Sequence, residues 1–261
     1  IIRVNGNGSI RMIYQGEANG AVTDSNKTGI TTEIGTSMYN HTDNDNAYVG
    51  YMMGIPLVGI YNPTAINANT TSSHSSDYDN AHTNTYESDA KKQLDSWYST
   101  NIENNENYSK HVYVNTGFCN DRQIDKTVHP SHTGDGYSTQ NSGYAPWGRV
   151  YTFTGWKTTQ TAILQCTNKS RDLFTTNTND AENTGNKKLQ YPIGLITSDE
   201  VVFAGGFGDN LGYNQTYYLF TNQDYWTMSP SDYNNASFMF FVYQHGDLYY
   251  GPVGATYGLS Q

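Results

Sequence analysis

A chain of 261 residues can bury a substantial core and fits one large domain or two small ones. Charged residues make up only 15 %, and the missing polarity is supplied by Asn, Ser, Thr, Gly and 23 Tyr. The net charge of −10, with no basic cluster, argues against nucleic acid or anionic lipid as a partner, and the aromatic content of 14 % argues against disorder.

Residues 2–14 read as a β-hairpin, because two apolar runs flank Asn5-Gly6-Asn7-Gly8 and Asn-Gly suits the positive φ of tight turns. Asp43-Asn44-Asp45-Asn46 begins like a calcium loop. It lacks the glycine and the closing acid such a loop needs, so a turn before a strand at Tyr48 is expected. The apolar stretch from Tyr48 to Tyr61 is too short to span a bilayer and contains Gly50, Gly54, Pro56 and Gly59. Residues 67–87 are polar and low in complexity, as in a surface loop.

Ala90, Leu94, Trp97, Tyr98 and Ile102 recur at helical spacing after Ser88 or Asp89 as a cap, which predicts a helix with these residues facing the core. Thr197-Ser198-Asp199-Glu200 predicts a capping box at the start of a second helix, stopped by Gly205-Gly206, and so assigns Glu200 to a cap. Arg149–Thr154, Ala162–Gln165, Tyr217–Phe220, Tyr225–Met228 and Phe238–Tyr243 are the strand candidates, rich in aromatic and β-branched residues. Two helices among short strands give an α+β class, with one domain expected over 1–261. Since the chain starts at Ile1, a trimmed ectodomain is expected.

Cys119 and Cys166 are either one disulfide or two free buried thiols. The otherwise extracellular composition favours the disulfide. No cofactor is implied, and no nucleophile elbow, zinc-helix or phosphate-loop motif appears. His129-Pro130-Ser131-His132 with Asp135 offers metal-type ligands, but on a loop and at unspecific spacing, so no metal site is assigned. Asp121 with Asp125, and Asp180 with Glu182, read as solvated loop acids rather than acid–base pairs.

After Lys188 there is no Lys or Arg, and after Glu200 no Glu. The remaining alphabet of Tyr, Phe, Asn, Asp, Gly, Ser and Thr is that of antibody loops, in which Tyr gives contact area at low entropic cost. Candidate ligand-binding residues are Tyr233, Asn234, Asn235, Tyr243, His245, Asp247, Tyr249, Tyr250 and Tyr257.

The segments IIRVNGNGSIRMIYQG, DNAYVGYMMG, WYSTNI, TGFCNDR, YPIGLITSDEVVFAGG and YYLFTNQDYWTMSP together resemble bacterial surface proteins with a C-type-lectin-like domain. The helix ending in Ala204-Gly205-Gly206 is similar to one in the formylglycine-generating-enzyme branch, whose catalytic cysteine pattern is not recognisable here. His245 to Val253 resembles the diversified segment of retroelement variable proteins, with Gly246, Leu248 and Val253 matching the scaffold positions. The resemblance implies a C-type-lectin-like fold of two helices and short, mostly antiparallel strands. It also implies a ligand surface on the C-terminal hairpin, located outside the cell or on its surface. The expected function is recognition of a surface protein or glycan, not catalysis. A structural subunit of a pilus or filament, possible as a homo-oligomer, is the second reading, and a formylglycine-generating-enzyme-like enzyme the third.

Overall fold

The computed structural model describes residues 2–14, 28–57, 74–151, 161–176, 184–208 and 213–260. It is a mixed α+β structure whose sheets are mostly antiparallel.

At the N-terminus β1 (Arg3–Val4) pairs with β2 (Ile10–Arg11). Asn5 makes the turn, its carbonyl accepting from Gly8 N at 2.9 Å and its amide donating to Ser9 O at 2.8 Å. Gly8 carries the positive φ of 84° that this three-residue loop requires.

The central sheet runs β11-β10-β9-β12-β3, with β7 also pairing β9. Its strands are β3 (Gly35–Met38), β7 (Ser142–Gly143), β9 (Tyr225–Tyr233), β10 (Ser237–Val242), β11 (Leu248–Pro252) and β12 (Thr256–Leu259). Pairing of β12 with β3 joins the C-terminal strand to an early one, while β1 and β2 form a separate two-stranded sheet. Alternation along the strands separates two apolar clusters. Trp226, Met228, Met239 and Phe241 join one, with Ala90 and Leu94 of α2 (Asp89–Tyr98). Tyr225, Phe240, Val242 and Leu248 join the other, with Val150 of α4 (Ala145–Val150) and Val201 of α6 (Ser198–Phe203).

Both expected helices are present, and among the described residues four short α-helices add to them: α1 (Tyr78–Ala81), α3 (Glu106–Ser109), α4 and α5 (Lys169–Asp172). Ser88 caps α2, its side chain accepting from Lys91 N at 3.0 Å. Ala90, Leu94 and Tyr98 are buried, whereas Trp97 and Ile102 only flank the core, and Trp97 meets the edge of the Tyr14 ring. In α6 Thr197 and Glu200 form the reciprocal capping box. Gly206 N donates to Val201 O at 2.9 Å and Gly205 N to Val202 O at 3.0 Å, closing the helix with Gly205 at φ 102°. Glu200 has a second task the sequence did not reveal: its carboxylate lies 3.1 Å from Arg11, which docks the N-terminal hairpin.

Several strand expectations fail. Asn46–Val49 is a buried 3-10 helix capped by Asp45, so Tyr48 is not in a strand. Within 67–87, residues 67–73 lie outside the described residues, and the rest holds α1 and β5 (Tyr86–Glu87), which pairs β4 (Met52–Met53). Arg149 and Val150 end a helix that Pro146 helps to start, while 152–154 lie outside the described residues. Ala162–Gln165 is irregular, and Tyr217–Phe220 is a turn held by Tyr225 Oη donating to Leu219 O at 3.0 Å.

Cys119 of β6 (Gly117–Cys119) is bonded to Cys166, with Cα atoms 5.6 Å apart. Beside it Asp121 is buried and lies 2.9 Å from Arg149, which also grips Asp199 through two hydrogen bonds. Asp121 is therefore a paired interior acid, not a solvated one. Asp180 and Glu182 lie outside the described residues.

Candidate functional site

The loop between β10 and β11 repeats the N-terminal turn geometry. Tyr243 N donates to Asp247 O and Tyr243 O accepts from Gly246 N, at 2.8 and 2.7 Å. Gly246 sits at φ 88°, and a Cβ there would lie 1.9 Å from Asn214 O, so the position admits only glycine. Leu248 and Val253 are fully buried. The three residues that fix this hairpin are thus interior, while Tyr243, His245, Asp247, Tyr249, Tyr250 and Tyr257 remain at least partly open to solvent.

Tyr243, His245, Asp247, Tyr249 and Tyr257 gather round one shallow depression of about 670 Å³, joined by the exposed Tyr213. Its floor is Phe241, on which Tyr257 stacks at 4.3 Å between ring centroids. Gly251 makes this possible, because a Cβ there would lie 3.1 Å from Tyr257 Oη and 3.2 Å from Phe241. Tyr249 stands opposite Phe241 in the register and is 40 % exposed. Tyr213 and Tyr243 both meet the His245 ring edge-on, at 4.3 and 4.7 Å. The rings are therefore braced by one another and by the sheet. Nearby, burial with Asp224 alongside raises the Glu33 carboxyl to about 7. Burial also raises Asp224, whose Oδ1 accepts from Gln244 N at 2.6 Å.

Not every candidate residue belongs to this face. Tyr250 pairs with Phe240 and starts from the opposite side of the sheet, where it packs on Trp147, Tyr151 and Phe238. Because β11 is the outer strand of the path, the Tyr250 ring still meets Tyr249 round the edge, at 5.3 Å. Tyr233, Asn234 and Asn235 lie at the other end of β10, roughly 20 Å away by strand rise. Tyr233 is buried there, and burial near Asp45 and Asp43 lifts its hydroxyl to about 12; with Asn234 and Asn235 it lines a separate depression of about 540 Å³. Asn234 and Asn235 are exposed at the β9–β10 turn, where Asn235 takes φ 59°. Their Asn-rich run signals a turn as much as a binding surface.

A second cleft, of about 690 Å³, opens on the Tyr250 side of the sheet. It brings together Trp147, Tyr250, His129, His132, Asp125 and Asp232, of which only Tyr250 was a candidate. Asp125, His129 and His132 share one loop that the sequence marks only as a loop acid and weak metal-type ligands, whereas Trp147 and Asp232 come from distant segments that no local pattern joins to it. The His129 and His132 rings lie 4.8 Å apart and tilted to each other, while Asp135 pairs with Lys126 on the surface. Among the described residues, no three His, Cys, Asp or Glu side chains are grouped to hold a metal ion. No described helix is long and apolar enough to cross a membrane.

No family model, no curated protein and no solved structure matches the chain.

Proposed function

We propose that the protein is an extracellular recognition domain with a C-type-lectin-like arrangement, and that it binds a surface ligand through the aromatic face of its C-terminal hairpin. The observation that carries this reading is the separation of roles in residues 243–257. Gly246, Leu248 and Val253 hold the backbone from inside, while Tyr243, His245, Asp247, Tyr249 and Tyr257 surround one open depression. Side chains so placed can engage a partner without being needed for the fold. The disulfide supports an extracellular location.

The pre-braced tyrosines with one His and one Asp favour a protein epitope, since rigid rings give contact area at low entropic cost. Arrays of surface proteins and of glycans, probed with wild type and with Tyr249→Ala, test the reading. Binding to proteins that the folded variant loses is expected. Binding to glycans alone would replace the protein ligand, and no difference between wild type and variant would overturn the site.

A further inference from the structure

The cleft on the opposite side of β11 has its own chemistry. Its wall is aromatic: the Trp147 ring centroid lies 5.9 Å from Tyr250, 6.2 Å from Tyr151 and 5.2 Å from His132. Its polar groups include acids and two imidazoles. Asp232 is buried, its Oδ1 accepting from Ser231 Oγ at 2.8 Å, and its Oδ2 faces His132 Nε2 at 3.7 Å, beyond hydrogen-bonding distance. His132 is 2 % exposed, and neither of its ring nitrogens has a hydrogen-bond partner. Asp125 adds a second carboxylate, oriented by Thr127 N at 2.9 Å.

Among the described residues lining this cleft none is Lys or Arg. The cations nearest in sequence are engaged elsewhere, Lys126 with Asp135 and Arg149 with Asp121 and Asp199. Buried polar groups ordinarily have partners, so the bare imidazole beside a buried carboxylate marks a position for an incoming donor. Aromatic faces attract cations through the ring quadrupole, most strongly when water is excluded.

We propose that this cleft binds an organic ammonium group, seated against Trp147 and Tyr250 with its charge on Asp232 and Asp125. Burial supports the assignment: it raises the Asp232 carboxyl to about 7 and lowers the His132 imidazole to about 4, as expected where no protein cation compensates the acid. A neutral His132 accepts a hydrogen bond at one nitrogen, which a primary ammonium satisfies together with Asp232. The cleft adjoins the Tyr249 face, and Tyr250 lines both.

Calorimetric titration of the whole chain at pH 8 tests the proposal, with three probes. n-Butylammonium stands for a lysine side chain, choline for a free quaternary amine, and 3,3-dimethylbutanol is the uncharged counterpart of choline. Saturable binding of at least one cation, with the alcohol weaker by at least about tenfold, is the expected result. Preference for butylammonium assigns the source to a lysine-bearing partner, and preference for choline to a small amine. Asp232→Asn should weaken the bound cation by at least about tenfold while a melt shows the variant folded. Equal binding of choline and the alcohol, or no binding of either cation, would overturn the proposal without any variant being needed.

Discussion

Tyr249 and Tyr250 are neighbours in sequence but rise from opposite faces of the sheet. Tyr249→Ala removes a ring that is 40 % exposed, so its cost should be under about 1 kcal/mol. Tyr250→Ala withdraws a ring packed on Trp147, Tyr151 and Phe238, and should cost about 1–3 kcal/mol. Chemical denaturation of the two single variants compares them directly, and equal costs would mean that the two rings share one environment. At Asp232 the relevant variable is pH. The folded pKa of about 7 stands above that of an unfolded Asp, so the native state holds an extra proton between about pH 4 and 7. This contribution to stability is fully present below pH 4, falls as pH rises to about 7, and is constant above. Asp232→Asn should therefore gain on wild type over that window, by a few kcal/mol at most, in melts at pH 5 and pH 8. An unchanged difference between those pH values would contradict the buried, uncompensated carboxyl.

At the scale of elements, local signals were legible wherever the backbone itself demanded a residue type. The Asn5–Gly8 turn, the Ser88 cap, the capping box at Thr197 and the glycine stop at Gly205 each follow from unsatisfied amides or a positive φ. Aromatic runs were misleading, because Tyr217, Leu219 and Phe220 are buried from a turn and Val150 from a helix end. The stripe of Ala90, Leu94, Trp97, Tyr98 and Ile102 does pack on the core, with Trp97 and Ile102 only partly buried. Leu94 is wholly buried and Trp97 only partly, so Leu94→Ala should cost about 2–5 kcal/mol and Trp97→Ala less. A larger loss at Trp97, measured by urea denaturation, would place its indole in the interior. The Cys119–Cys166 bridge ties β6 to a segment 47 residues away. Replacing both cysteines by Ser should lower stability by about 2–5 kcal/mol. A change within error in the same assay would show that packing alone holds that junction.

For the whole molecule, the C-terminal half of the candidate site was legible and the cleft beneath it was not. Residues 243–257 belong to one hairpin and the strand that follows, so alternation and turn chemistry arrange them locally. The Trp147, His132 and Asp232 cluster is assembled by β7–β9 pairing and the position of α4, which depend on contacts between distant parts of the chain. The sheet thus presents two aromatic surfaces on either side of one edge strand, with Tyr250 turning between them. The most direct test of the recognition claim pairs a thermal melt with a binding titration on a His245→Ala, Tyr249→Ala double variant, against the best protein ligand from the arrays. The account predicts a melting temperature close to wild type and affinity reduced more than about tenfold, as expected when two contact side chains are lost from a stable frame. A variant that melts like wild type and binds equally well, or one that unfolds, would contradict it.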